Sequence, residues 1–218
     1  MSSPGQRSLD VLPGRGTPFS YSCAGCGRCC HDKRIQVGPY EVARIAQLLS
    51  LSTTEVLERY TDEGSALRFV DGACVFLAGQ GCSVHDARPL VCRLYPLGRI
   101  ALPDGSEEIV ELRPHSETEG TYGKNGKVGE YFEQQGATPY INAARLYYEL
   151  LERVVRVLDA HVDEATEGEE ADLAPPDLLD IDLALQGAQL ESTPPRDPWE
   201  RMVLHISIVD DWLAANAS

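Results

Sequence analysis

The chain has 218 residues, of which 43% are hydrophobic and 24% are charged, and these values are typical of a globular protein. No apolar run approaches the roughly 20 residues of a membrane-spanning helix, which argues against a transmembrane protein and against a membrane partner. The formal net charge of −15 would repel a phosphate backbone, so nucleic acid is not expected as a partner. The first residues lack the apolar segment of a secretory signal, and we therefore expect a cytoplasmic protein.

The first third of the chain predicts a flexible lead-in and two short helices. Residues 1–20 are rich in Pro, Gly and Ser, a composition typical of flexible segments. Apolar residues recur at helical spacing over 42–49, which predicts the first helix. Ser52 and Glu55 form a capping box ahead of a second helix over about 53–61.

The middle of the chain predicts a β-hairpin and one long helix. Strands near 97–102 and 108–113 flank a Pro-Asp-Gly turn, which is a strong hairpin signal. Residues 118–127 are rich in glycine and predict a loop. Two adjoining apolar stripes then predict a helix over about 139–162, with a wide face that packs on the domain.

The last quarter of the chain predicts a linker and a docked helix. Residues 163–182 contain nine acidic side chains and no Lys or Arg, a composition typical of linkers. Asp197 and Pro198 then begin a final helix with one apolar face. The expected organisation is a flexible lead-in (1–20), a metal-binding domain (21–162), an acidic linker (163–182) and a helical segment packed on the domain (183–218). The expected fold class is α+β: a mostly helical small domain with an irregular cysteine-rich metal-binding core, a β-hairpin, the long helix and the docked final helix.

The seven cysteines carry the main functional signal. Four of them lie within eight residues, and an odd number in a chain without a signal segment favours metal binding over disulfides. Clustered soft thiolates are typical ligands of zinc, iron and iron–sulfur clusters. We therefore predict metal binding by Cys23, Cys26, Cys29 and Cys30, and by Cys74, Cys82 and Cys92, for which the alternative is that one of the three is a buried free thiol.

The adjacent pair Cys29 and Cys30 is not typical of a simple zinc loop, and it is informative about the number of metals. Neighbouring side chains diverge from the backbone, so we expect these two thiols to serve different metals, or different metals of one cluster. Two tetrahedral sites need about eight donors, which the cysteines supply together with one histidine. The candidates are His85, three residues after Cys82, and also His31 and His115.

Three arginines are candidates for neutralising the charge of a thiolate site. Four thiolates around a divalent ion leave a net charge near −2, which calls for nearby cations or N–H donors when it is buried. Arg28 lies inside the first cysteine cluster, and Arg88 and Arg93 flank the last cysteine. We expect all three to line the metal or cofactor site.

The order of these motifs resembles one known family. CxxCxxCC, then spaced cysteines, then RPxxCRxYP is similar to the YkgJ-type cysteine-cluster family, which is described as a zinc- or iron-chelating domain. The likeness covers about residues 20–100. It implies all seven cysteines as the metal-binding set, with the last loop shaped by Arg88, Pro89, Arg93 and Pro96.

This family includes flagellin lysine N-methylases, which the resemblance associates with an iron–sulfur cluster and methyl transfer from S-adenosylmethionine. The sequence supports an iron–sulfur cluster better than it supports methyl transfer. Cys26-x3-Cys30 is followed by Lys33, where a CxxxCxxC triad would need a cysteine. No strand, glycine-rich turn and helix unit of the dinucleotide-binding type is found either. Methylase activity would rest on analogy alone.

Three functions remain open at the level of sequence. The favoured one is an iron or iron–sulfur protein that holds more than one ion and has a redox or modifying-enzyme role. The alternative is a zinc-stabilised module without catalysis, which would contact a protein partner through the acidic linker and the final helix. The third is a multinuclear iron enzyme that also uses His115, Glu117 and Glu119.

Overall fold

The computed structural model describes residues 10–62, 64–79, 81–102, 104–113, 115–164, 173–188, 190 and 192–216. Eleven short strands are formed within these residues: β1 (Asp10–Leu12), β2 (Pro18–Ser22), β3 (Thr61–Asp62), β4 (Ala66–Leu67), β5 (Phe69–Val70), β6 (Ala73–Cys74), β7 (Leu77–Ala78), β8 (Gly81–Cys82), β9 (Leu97–Ala101), β10 (Glu107–Glu111) and β11 (Thr121–Lys127). The α-helices of the same residues are α1 (Pro39–Leu49), α2 (Thr53–Tyr60), α3 (Leu90–Leu94), α4 (Val128–Gln134), α5 (Thr138–Glu164), α6 (Ile181–Gly187) and α7 (Pro198–Asn216).

The chain divides into two compact units, and each is discontinuous in sequence. The cysteine unit comprises residues 1–35 and 67–139. The helical unit comprises residues 36–66 and 140–218. All seven cysteines lie in the cysteine unit, so the two units separate the candidate metal ligands from most of the helical residues.

The cysteine unit is built from small antiparallel sheets. The order β1-β10-β9 forms a three-stranded sheet, in which the predicted hairpin is extended by a strand from the start of the chain. β2 pairs with β11, and the register shifts between Gly123 and Lys127. Two minimal hairpins, β5–β6 and β7–β8, follow one another before α3.

The helical unit has a core between α5 and α7. Leu150 and Val154 of α5 are buried against Val209 and Leu213 of α7. α6 lies against α2 and α7. The buried Asp180 caps α6 through the amides of residues 182 and 183, and it accepts a 2.5 Å hydrogen bond from the Thr53 hydroxyl. These contacts tie the end of the acidic segment to α2.

Most predicted elements are found close to their expected bounds. The capping box of α2 is present, with the amide of Ser52 donating to a carboxylate oxygen of Glu55 at 2.9 Å. The long helix and the final helix are confirmed at Thr138–Glu164 and Pro198–Asn216. None of the helices in the described ranges combines the length and apolar character that crossing a membrane requires. A mixed α+β architecture agrees with the expected fold class.

Several segments differ from the sequence prediction. The glycine-rich stretch 118–127 was expected as a loop, but it contains strand β11, because its backbone pairs with β2. Residues 10–20 of the predicted lead-in form β1 and begin β2. Within the predicted linker, residues 165–172 lie outside the described residues, and its last two residues begin helix α6.

Candidate metal centre

The first cysteine loop follows directly from β2 and turns tightly. Gly27 adopts a left-handed conformation, with φ of 71°, and a 3-10 turn over Arg28–Cys30 follows it. A Cβ atom at residue 27 would lie 2.9 Å from a methyl carbon of Leu77, so both the conformation and the space favour glycine there. The turn closes with a 2.8 Å bond from the amide of Cys30 to the Gly27 carbonyl.

The next two cysteines lie on the minimal hairpins. Cys74 ends β6 and pairs with Phe69, and Cys82 ends β8 and pairs with Leu77. His31, which directly follows Cys30, forms an isolated bridge with Ala73. This bridge brings the backbone of the first cysteine loop beside the strand that carries Cys74.

The last cysteine lies on α3, and the loop around it is fixed by arginine. Arg93 is 7% exposed, and it donates hydrogen bonds to the carbonyl oxygens of Gln135 and Asp86. Arg88 donates to the Gln135 side-chain oxygen at 2.7 Å and to the His85 carbonyl at 2.6 Å. Two arginines thereby hold the segment that carries Cys92 against the end of α4.

Five of the seven thiols are connected by electrostatic interactions. Cys29 acts on the other four, and Cys30 is also influenced by Cys82 and Cys92. We call this set the thiol cluster: Cys29, Cys30, Cys74, Cys82 and Cys92. The fold gathers its members from four separate segments of the chain.

Within the thiol cluster, the adjacent pair shares one hydrogen bond. The Cys30 thiol donates to the sulfur of Cys29, which lowers the pKa of Cys29 to about 6. The same bond and burial raise the pKa of Cys30. One member of the pair is therefore prepared as a thiolate, the form that binds metals.

The other members of the thiol cluster are held as thiols by burial. Burial raises the pKa of Cys92 to about 12, and the neighbouring sulfurs of Cys74 and Cys29 add to the effect. Burial is also the largest cause of the raised pKa values of Cys74 and Cys82. Clustered sulfur atoms with little water around them disfavour negative charge, and a bound cation would reverse that preference.

Two cations lie close to the thiol cluster. Arg88 favours the thiolate of Cys82 and interacts with Cys92 and Cys23. Lys33 lowers the pKa of Cys29 and also favours the thiolate of Cys92. Its amine lies 4.3 Å from the centre of the Tyr95 ring. The sequence analysis missed Lys33, although its position three residues after the last cysteine of the first cluster was a usable signal.

The remaining candidate cation of the first loop has a different partner. A guanidinium nitrogen of Arg28 lies 3.3 Å from a carboxylate oxygen of Glu117, and both side chains are about half exposed. The backbone amide of Glu117 also donates to Nδ1 of His115 at 3.1 Å. His115 and Glu117 are thus joined to the first cysteine loop through Arg28.

The three candidate histidines occupy different surroundings. Burial is the largest cause of the lowered pKa of His85, and the nearby Arg88 adds to it, so both favour the neutral imidazole that binds metals. His31 favours the thiolate of Cys29, so it lies near the thiol cluster. His115 is exposed in its loop.

The first two cysteines lie on the first loop, and Cys23 interacts with Arg88, as Cys92 of the thiol cluster does. Cys23 is exposed, and its sulfur accepts a 3.4 Å hydrogen bond from the amide of Gly25. Cys26 is half-buried. Among the described residues, no three Cys, His, Asp or Glu side chains converge on a common point that could hold a metal ion. Within these residues, several thiols interact electrostatically but do not form a closed metal site.

These features define an α+β protein with a cysteine-rich region built on short hairpins. Residues 22–119 match the family CxxCxxCC, described as a "putative zinc- or iron-chelating domain". The match confirms the resemblance drawn from the cysteine motifs, and it supports metal binding by this part of the chain. It also extends past β10 to include His115 and Glu117. No curated protein and no solved structure matches the chain.

Proposed function

We propose that the protein binds iron through its cysteines, in an iron–sulfur centre with a redox or modifying-enzyme role. The observation that carries this proposal is the thiol cluster, whose five members come from four segments. A single tetrahedral zinc site needs four ligands, so five thiols connected by electrostatic interactions, with two more on the first loop, exceed that need.

The thiol cluster supplies the primary ligands of the proposed centre. Cys23 and Cys26 complete the set from the first loop, and one imidazole can add an eighth donor. His85 is the preferred histidine, because its ring is held neutral beside Arg88, whereas His31 and His115 are secondary candidates. We propose more than one ion, because seven cysteines and one histidine supply the roughly eight donors that two tetrahedral sites need.

The surroundings of the thiol cluster fit a site of net negative charge. Lys33 and Arg88 both favour the thiolate forms. Arg93 orients the last loop through its bonds to Gln135 and Asp86. An iron–sulfur cluster supplies one-electron transfer, at a potential that depends on net charge and on hydrogen bonds to sulfur. The two cations are the residues of this chain that would set that charge.

Metal binding would also draw the thiols together. None of the described residues 23–30 is buried, so few apolar contacts fix the first loop. Free energy of metal binding then becomes free energy of folding for these segments. All seven cysteines are free thiols, as expected for the reducing cytoplasm in which we propose that the protein acts.

The alternative is a zinc-stabilised interaction module without catalysis. The family description names zinc as well as iron, and neutral imidazole beside thiolates is a common zinc ligand set. In this alternative, the acidic segment 163–182 and α7 contact a protein partner. Val203 on α7 is 50% exposed and would lie on that surface.

Metal analysis of protein purified without oxygen tests the proposal. We expect more than one iron per chain, together with acid-labile sulfide and a brown colour that bleaches on reduction. A colourless protein with stoichiometric zinc would favour the alternative. Protein with substoichiometric metal and seven titratable thiols would contradict both.

A pair of substitutions to serine on one helix provides a matched control. Cys92→Ser removes a proposed ligand and should lower both the metal content and the visible absorbance. Val91→Ser introduces the same side chain one position earlier, where Val91 is 55% exposed, and should leave both unchanged. Equal metal content in the two variants would remove Cys92 from the ligand set.

A further inference from the structure

A cavity of about 260 Å³ lies in the cysteine unit between β2, β11 and α4. Aromatic side chains form much of its wall, among them Tyr21, Tyr122 and Tyr131. The rings of Tyr21 and Tyr122 meet at 62°, with centres 4.9 Å apart. Phe19 packs against Tyr131 in a similar edge-to-face contact at 5.1 Å. These contacts fix the rings, so the wall is preformed for a flat apolar group.

The floor of the cavity depends on glycine in β11. A Cβ atom at residue 126 would lie 3.1 Å from a carboxylate oxygen of Glu130 and 3.2 Å from the Phe19 carbonyl oxygen. The register of β11 against β2 shifts between Gly123 and Lys127, which forms a bulge beside the cavity. The cavity wall is therefore open because β11 has a bulge and because its glycines have no side chains.

The charge beside the cavity is unusual for this chain. Only three of the 19 basic residues are lysines, namely Lys33, Lys124 and Lys127, and two of these lie on β11. Lys127 lines the cavity, and its amine forms no ion pair in the part of the chain that the structure describes. Lys127 is exposed, so its ammonium offers a partner for an anion.

Glu130 is the one acidic residue that lines the cavity, and its carboxylate already accepts a hydrogen bond. A carboxylate oxygen of Glu130 accepts a hydrogen bond from the backbone amide of Lys127 at 3.0 Å, at the start of α4. Asn125 and Gln134 add neutral amide groups to the lining. The polar groups that remain for a ligand are therefore an ammonium, amides and hydroxyls.

We propose that this cavity binds a small aromatic carboxylate, with its ring among the tyrosines and its carboxylate at Lys127. The volume lies just below the range of about 300–1,000 Å³ typical of drug-sized ligands, which favours a ligand with a single ring. Tyr21 and Tyr131 both line the cavity and lie within electrostatic range of Cys23 and Cys29. A bound ligand would therefore contact tyrosines that lie near the cysteines. The inference goes beyond the proposed function and does not require a bound metal.

Benzoate is a suitable probe, with benzamide as its neutral analogue and benzylammonium as its cationic analogue. Ligand-observed NMR titrations of the full chain, as purified without oxygen, should show saturable binding of benzoate. Benzamide should bind about fivefold more weakly, because an exposed ion pair contributes up to about 1 kcal/mol. Benzylammonium should bind most weakly of the three.

Charge variants locate the binding. Lys127→Gln should weaken benzoate binding about fivefold, and Lys127→Arg should restore it. Lys124→Gln makes the same change of net charge on the same strand, outside the cavity lining, and should leave the affinity unchanged. Glu130→Gln should strengthen binding about twofold, because an amide oxygen can still accept the Lys127 amide while the repulsion is removed.

Each contrary result overturns the proposal. Unsaturable benzoate binding, equal binding of benzamide, or equal losses in the two lysine variants would show that no such site exists. Stronger binding of benzylammonium, weakened by Glu130→Gln, would assign the cavity to a cation instead. The metal content of the same samples is measured separately, so metal-free protein that binds benzoate would refute the proposed iron centre and leave this site intact.

Discussion

The Tyr147 hydroxyl lies 2.9 Å from Nδ1 of His205, inside the helical unit. The other ring nitrogen of His205 donates to the carbonyl oxygen of Asp177 at 2.7 Å. His205 is fully buried, so a neutral ring with its proton on Nε2 satisfies both partners. This one side chain joins α5, α7 and the end of the acidic segment.

The stability of the helical unit should therefore depend on His205 and on pH. Burial lowers the pKa of His205 below its usual value of 6.5, although the nearby Asp177 and Asp180 oppose the shift. The unfolded chain then takes up the proton first as the pH falls. We expect the contribution of His205 to be complete above about pH 6.5 and to be lost at lower pH, at up to about 1.4 kcal/mol per pH unit.

Urea unfolding at pH 7.5 and pH 5.5 measures this effect. His205→Gln keeps a donor and an acceptor but does not titrate, so the difference between the wild type and the variant isolates the histidine. Identical pH dependence in the two proteins would show that His205 titrates equally in the folded and unfolded states.

Two adjacent leucines on α5 should behave differently on truncation. Leu150 is 1% exposed and packs in the core with α7, whereas Leu151 is 49% exposed. Leu150→Ala should destabilise the protein by about 2–5 kcal/mol, through lost burial and a cavity. Leu151→Ala should cost less than about 0.5 kcal/mol. Chemical denaturation of both variants checks the prediction, and equal losses would mean that Leu151 is covered in solution.

Removal of metal should lower the melting temperature of the protein markedly. The loops over 23–30 and 72–84 join the thiol cluster through short turns and two-residue strands, so the metal supplies much of their order. Calorimetry before and after chelation, with metal loss verified by analysis, measures the shift. An unchanged melt would show that the unit is stable without metal.

Single substitutions of the adjacent cysteines should have distinct consequences. Cys29 accepts the hydrogen bond that Cys30 donates, and we expect the two sulfurs to serve different metals. Cys29→Ser and Cys30→Ser should therefore lose different metals or different fractions of the metal, while the wild type holds more than one ion. Metal analysis and visible spectra of both variants measure this. A mononuclear ion bound by both sulfurs would contradict the prediction.

Short-range sequence signals predicted the elements that depend on interactions between neighbouring residues. The Ser52–Glu55 capping box and the turn between β9 and β10 are short-range features, and both are present where expected. α6 also had such a signal in Asp180, but the acidic composition around it favoured a linker. Its cap is formed as Asp180 accepts from the following amides.

The sequence pattern did not predict contacts between residues that are distant in the chain. Both apolar stripes of α5 fit a wide buried face, yet Val154 is 1% exposed and Val155 is 45% exposed. The packing of α7 against α5 determines which of the two stripes is buried. The amine of Lys33 contacts the ring of Tyr95, which lies 62 positions away in the sequence. No local pattern encodes that contact. Glycine-rich β11 is a strand because β2 pairs with it.

The discontinuous cysteine unit has a consequence for synthesis of the chain. Residues 36–66 belong to the helical unit, yet they separate Cys30 from Cys74. The last residue of the cysteine unit is Pro139, so every thiol and both arginines that hold the Cys92 loop emerge from the ribosome before most of α5. The inserted helices α1 and α2 are synthesised before their packing partners α7 and α6, respectively. Cofactor insertion can therefore precede completion of the polypeptide, and the nascent chain carries an exposed apolar insertion during that interval.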